Sequence, residues 1–153
     1  MKLYDATTPR PVEILLVEDS PADIALTEEA LEDSKLWNKL HVVTDGEAAM
    51  EFLRKTGTYA SAPTPDLILL DLNLPRKTGR EVLAELRADS RFTHLPVVIM
   101  TVSQDEQDIF ESYRLHANCY IKKPVEFGEF IHVVKSIENF WFSIVTLPPK
   151  QVE

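Results

Sequence analysis

Five side chains in this sequence could together handle a phosphoryl group. The acidic pair Glu18-Asp19 closes the apolar run Ile14-Leu15-Leu16-Val17, Asp71 closes Leu67-Ile68-Leu69-Leu70, and Thr101 closes Val97-Val98-Ile99-Met100. Lys123 follows a weaker apolar segment, Asn118-Cys119-Tyr120-Ile121-Lys122. If these run ends meet, three carboxylates stand together, and they repel one another unless a cation sits among them. Oxygen-only ligands suit Mg²⁺ or Mn²⁺. Zinc is disfavoured, because His41, His94, His116 and His132 show no ligand spacing and the single Cys119 reads as a buried, inert thiol. The Thr101 hydroxyl and the Lys123 ammonium suit a tetrahedral oxyanion arriving at Asp71. The chemistry is phosphoryl transfer to a carboxylate, and the acyl phosphate formed can serve as an intermediate or as a signal.

The elements that must position these groups are legible around them. Unbroken apolar runs of this length predict strands buried on both faces. Leu40 to Thr44 and Asn118 to Lys122 are two further, weaker strands. Helical spacing alternates with the strands. Ser20 is a good N-cap with Pro21 at the first helical position, and the helix they begin runs to about Ser34. Glu47 to Lys55, Glu81 to Ala88, Asp105 to Leu115 and Phe127 to Trp141 carry apolar residues at helical intervals. Thr56 to Pro65, with Gly57, Pro63 and Pro65, reads as the longest loop. Five strand-helix units imply an α/β fold, a doubly wound parallel sheet with right-handed crossovers, whose sites form at the carboxyl ends of the strands. The expected organisation is an N-terminal arm over 1–11, the folded domain over 12–139, and an aromatic C-terminal extension over 140–153.

Composition narrows the partners. The chain has 153 residues and a formal net charge of −9, which argues against a surface made for nucleic-acid phosphates or anionic lipid. One cysteine forms no internal disulfide, the N-terminus lacks the pattern of a signal peptide, and no apolar run approaches the ~20 residues that span a bilayer. A cytoplasmic location is expected.

Leu16-Val17-Glu18-Asp19-Ser20, Leu70-Asp71-Leu72-Asn73-Leu74-Pro75 with Gly79, Met100-Thr101, and Tyr120-Ile121-Lys122-Lys123-Pro124 together resemble the motif set of response-regulator receivers. The resemblance runs in order from about residue 12 to residue 140. It implies the flavodoxin-like (βα)5 fold, sheet order 2-1-3-4-5, with Asp71 as phosphoacceptor for a histidine kinase. It further implies Glu18 and Asp19 as the acidic pair that holds Mg²⁺ with Asp71, and a metal shell completed by the backbone carbonyl of Asn73. Thr101 and Lys123 would bind the phosphoryl group, Tyr120 would be the aromatic switch, and the bond before Pro124 would be cis. Taken alone, Tyr120 also reads as a half-buried strand aromatic. Two positions depart from the pattern: Glu18 stands where an Asp is commoner, adding a methylene that lets it reach the metal through water, and Val102 stands where a small residue is usual, which is expected to slow small phosphodonors.

A closer resemblance is to the single-domain regulators that partner bacterial and cyanobacterial phytochrome kinases. It rests on Gly79-Arg80-Glu81-Val82-Leu83-Ala84-Glu85, His116-Ala117-Asn118-Cys119-Tyr120 and Ile137-Glu138-Asn139-Phe140-Trp141, and on the absence of an output domain. Phe140, Trp141, Phe142, Ile144, Val145 and Leu147 are apolar on nearly every face of a helix, more than one sheet can cover. Either Pro148 and Pro149 end the helix and the tail folds back on its own body, or these residues join a homodimer that uses the last two helices and strands, which the resemblance favours. The arm over 1–11 is either disordered or part of the same contact. Two enzymatic readings compete. A Mg²⁺-dependent aspartyl-phosphate phosphohydrolase needs a second acid two residues after the nucleophile, where Asn73 stands, and a nucleotide-binding domain needs a glycine-rich loop that Gly46, Gly57, Gly79 and Gly128 are too scattered to make. The expected protein is a binding module and not an enzyme, its chemistry confined to its own phosphorylation and dephosphorylation.

Overall fold

Three apolar quartets form the middle of a parallel sheet because each side chain has a face to bury it. The computed structural model describes residues 11–33, 37–101, 114–117 and 119–122. In chain order these form β1 (Val12–Val17), α1 (Pro21–Glu32), β2 (Asn38–Val43), α2 (Gly46–Arg54), a 3₁₀ turn (Gly57–Tyr59), β3 (Leu67–Leu70), α3 (Gly79–Ala88), β4 (Val97–Thr101) and β5 (Cys119–Lys122). The strands lie in the order β2-β1-β3-β4-β5, the expected doubly wound arrangement. All four pairings are parallel.

The registers Ile14↔Leu67, Leu15↔Ile68 and Ile68↔Val97 line up residues of like direction. Leu15, Val17, Ile68, Leu70, Val97 and Ile99 pack with Met50 and Leu53 of α2 and Val82, Leu83 and Leu86 of α3. Ile14, Leu16, Leu67, Leu69, Val98 and Met100 face the other way, toward Ala30 and Leu31 of α1. Burying one such Leu or Ile contributes about 1.5–3 kcal/mol. The two-sided sheet therefore accounts for runs with no polar alternation.

The helix starts are set by side-chain caps. Ser20 Oγ accepts the Asp23 N–H at 3.3 Å, with Pro21 following, as expected. Asp45 caps α2 through the Ala48 N–H at 2.7 Å, and Thr78 with Glu81 forms a capping box on α3. These caps begin α2 one residue and α3 two residues before the expected starts at Glu47 and Glu81, because a glycine stands at each first helical position. β2 begins two residues before Leu40, and the expected loop from Thr56 holds the 3₁₀ turn, entered through Gly57 at φ 59°. Of the helix expected over Asp105 to Leu115, Arg114 is described as helical. The helix expected over Phe127 to Trp141 lies outside the described residues, as do the arm up to Arg10 and the extension over 140–153.

Arg87, at the end of α3, ties the far side of the sheet. Its Nε donates to Leu115 O, its Nη1 to the carbonyls of Phe92, Thr93 and Leu95, and its Nη2 to His116 O, all at 2.9–3.1 Å. Burial lowers the guanidinium pKa from its ordinary value. One fork thus collects the chain leading into β4 and the turn before β5, where His116 takes a left-handed φ of 59°. No described helix is long and apolar enough to cross a membrane.

Candidate functional site

β1 and β3 are neighbours with Val17 opposite Leu70, so the residues that follow, Glu18 and Asp71, leave the sheet side by side. Backbone bonds extend the ladder past both ends. The Glu18 N–H reaches Val43 O at 3.0 Å, and the Asp71 N–H reaches Val17 O at 3.1 Å. The two acids are fixed in direction by strand geometry, and both are buried, Glu18 at 2% and Asp71 at 6% exposure. Asp19, next in the chain, is exposed.

One carboxylate oxygen from each of Glu18, Asp19 and Asp71 lies within 4.8 Å of the others, the one such acidic group among the described residues. Oxygens about 2.1 Å from a six-coordinate Mg²⁺ stand about 3 Å apart when adjacent and about 4.2 Å when opposite. The observed spacing fits a small hard cation with little adjustment, and the donor set is all oxygen. Two further contacts fix the acids. Glu18 Oε1 accepts the Ser20 N–H at 3.1 Å, which folds the longer side chain back toward the start of α1. Asp71 Oδ1 accepts the Asn73 N–H at 3.0 Å. Burying like charges this close is unfavourable without a counter-charge.

The phosphoryl-binding side of the expected site is placed only as backbone. Thr101 is the last residue of β4, paired with Lys122 of β5, and Tyr120 lies opposite Ile99. β4 borders β3, so Thr101 ends at the sheet edge where Glu18 and Asp71 emerge. Asn73 lies two residues beyond Asp71 in the β3–α3 loop, itself exposed between the buried Leu72 and Leu74. Lys123, Val102, Pro124 and the proposed dimer residues Phe140, Trp141, Phe142, Ile144, Val145 and Leu147 lie outside the described residues.

Two glycines matter more than their place in a motif suggests. The Gly79 N–H donates to Leu72 O at 3.0 Å, and a Cβ added to Gly79 would lie 2.7 Å from Leu72 Cα and 2.9 Å from the Asp71 carbonyl carbon, closer still to its oxygen. A Cβ on Gly46 would lie 2.7 Å from the Lys77 carbonyl carbon. Both contacts let a helix start rest directly on the loop that follows Asp71. The signal for them was available: each glycine directly follows an N-cap residue, Asp45 or Thr78.

Comparison with known proteins gives a consistent result. A family model described as response regulator receiver domain matches residues 14–135. Response regulator Rcp1 of Synechocystis sp. is 48% identical over 146 residues, which is 95% of this chain and 99% of that protein. The crystal structure of the phosphorylated cyanobacterial phytochrome response regulator RcpA aligns with a TM-score of 0.88 and 51% identity, covering 91% of this chain and 99% of its own. The Mn²⁺-bound form of Rcp1 aligns with a TM-score of 0.86 and 48% identity, covering 90% and 99% respectively.

Proposed function

The chain belongs to the response regulator receiver domain family, and on that premise we propose that it takes a phosphoryl group on Asp71 from a histidine kinase and signals through protein contacts. The observation that carries the reading is the meeting of Glu18, Asp19 and Asp71 within 4.8 Å at the edge of β1 and β3. Mg²⁺ is the proposed cofactor, held by those carboxylates and the Asn73 carbonyl; when bound, it neutralises charge on the phosphoryl oxygens during transfer.

The chain's own groups do the rest. The Asn73 N–H holds Asp71 Oδ1 and so orients the carboxylate. Attack by Asp71 on phosphorus forms the new P–O bond as the P–N bond to the kinase histidine breaks, and the imidazole leaves with its electron pair and takes up a proton. Thr101 and Lys123 meet the phosphoryl oxygens, and Tyr120 follows the movement of Thr101. The same groups serve hydrolysis of the acyl phosphate, which keeps the chemistry self-directed. Asn73, where a phosphohydrolase would place its second acid, does not favour turnover of free phosphate esters.

The names of the relatives support a phytochrome-type kinase as the donor. Organisation into an arm over 1–11, a receiver over 12–139 and an aromatic extension over 140–153, a homodimer built through that extension, and a cytoplasmic location complete the proposal. The test is labelling with acetyl phosphate or a phosphorylated histidine kinase in the presence of Mg²⁺. The expected result is one phosphoryl group per chain, lost in Asp71→Asn. Label that persists in Asp71→Asn refutes the assignment.

A further inference from the structure

The loop between β3 and α3 carries Asp71 at one end and is held at both ends by backbone, through Asp71 N–H to Val17 O and Gly79 N–H to Leu72 O. Its first half is anchored by the buried side chains of Leu72 and Leu74. Its second half, Pro75 to Thr78, is held instead by groups on α2 and α3. Gly46, the first residue of α2, rests on the Lys77 backbone so closely that a Cβ there would meet the Lys77 carbonyl carbon and Lys77 Cβ at 2.7 Å. Arg76 stands at φ 66°, a left-handed backbone that a non-glycine residue rarely adopts, and its guanidinium reaches the start of α2. Nη1 lies 3.4 Å from Glu47 Oε2 and Nε 3.7 Å from Asp45 Oδ2. Lys77 Nζ binds Glu85 Oε2, while Arg54 Nη2 holds Glu85 Oε1 at 3.4 Å.

None of these residues belongs to the acidic trio. We propose that Arg76 and Gly46 are positioning residues for the metal centre, setting the span from Asn73 to Thr78 from the side of α2 and with it the placement of the Asn73 carbonyl. The inference rests on the metal-dependent phosphoacceptor reading of Asp71. Exposed ion pairs such as those of Arg76 stabilise a fold little, so the consequence of losing them falls on placement more than on global stability. Groups that orient ligands from outside a metal site commonly change its affinity about tenfold or more when removed.

The test is Mn²⁺ titration of the full chain, with free ion followed by electron paramagnetic resonance, alongside thermal unfolding. Arg76→Gly keeps the left-handed turn without strain and removes the guanidinium; Gly46→Ala drives a Cβ into the Lys77 backbone. Gly46→Ala is expected to raise the Mn²⁺ Kd about tenfold, and Arg76→Gly, which removes exposed and individually weak ion pairs, to raise it about threefold while Tm stays the same or rises. A Kd for Arg76→Gly indistinguishable from that of the unaltered chain overturns the proposal, whatever the fate of Gly46→Ala, because Arg76 is exposed and its loss leaves the core intact. If the unaltered chain takes up no Mn²⁺, the metal reading itself fails; variants that bind like the unaltered chain defeat the positioning role alone.

Discussion

Gly79→Ala separates placement of Asp71, the proposed phosphoacceptor, from stability in general. The added methyl carbon would stand 2.7 Å from Leu72 Cα and 2.9 Å from the Asp71 carbonyl carbon. Unstrained carbon contacts lie at about 3.5–4.0 Å, so α3 or the Asp71–Leu72 peptide must retreat by about 1 Å. Overpacking of this kind costs about 1–3 kcal/mol, offset by about 0.4–1 kcal/mol from the stiffer unfolded chain. For a domain of this size a net loss of about 1–2 kcal/mol lowers Tm by roughly 2–8 °C. The effect on chemistry is larger, since a 1 Å displacement of a reacting group can cost about 10²-fold in rate. Gly57→Ala is the control. Gly57 sits at φ 59° with only Glu51 Oε2, at 3.8 Å, near a new Cβ, so alanine there costs about 1–2 kcal/mol of backbone strain without touching the loop after Asp71. Labelling rates by acetyl phosphate with Mg²⁺, measured at least 20 degrees below both melting points, should fall about 10²-fold for Gly79→Ala and remain near wild type for Gly57→Ala. Equal rates in the two variants would refute the claim that α3 sets the position of Asp71.

Other outcomes follow from contacts remote from the trio. Arg87→Lys keeps a charge but loses the fork that reaches five carbonyls, and is expected to cost about 2–4 kcal/mol in urea unfolding; an unchanged midpoint would show that water replaces the fork at no loss. Hydrogen bonds from the Arg91 side chain and then its backbone N–H lower Asp89 from 3.8 to about 2. The folded value is the lower one, so this contribution is complete above pH ~4 and disappears as pH falls toward 2; Asp89→Asn should flatten that part of the acid stability curve, and an unaltered acid limb argues against it. Truncation after Asn139 should move the species seen in light scattering toward the monomer mass, and an unchanged mass removes the extension from the proposed dimer.

The sheet was legible because its signal is strong and local. Ile14 to Val17, Leu67 to Leu70 and Val97 to Met100 have no polar alternation, which only a strand covered on both faces tolerates. The acids at their ends were then brought together by topology alone. Less legible were features whose cause is close approach. Propensity places the starts of α2 and α3 too late because glycine counts against a helix, whereas at Gly46 and Gly79 its missing Cβ admits a neighbouring backbone. Nothing in Arg87 as a letter distinguishes it from Arg80 or Arg91, since its partners are main-chain oxygens gathered from two separate segments. Lys77, Glu85 and Arg54 read as a solvated charge pattern, yet they join α2, α3 and the intervening loop.

Helix α3 has 10 residues and so extends about 15 Å. Its first residue is seated on the peptide of Asp71, and its ninth grips the carbonyls of Leu115 and His116. A rod fastened at both ends has little freedom to pivot. One continuous helix therefore spans from the Asp71 peptide to the turn before β5.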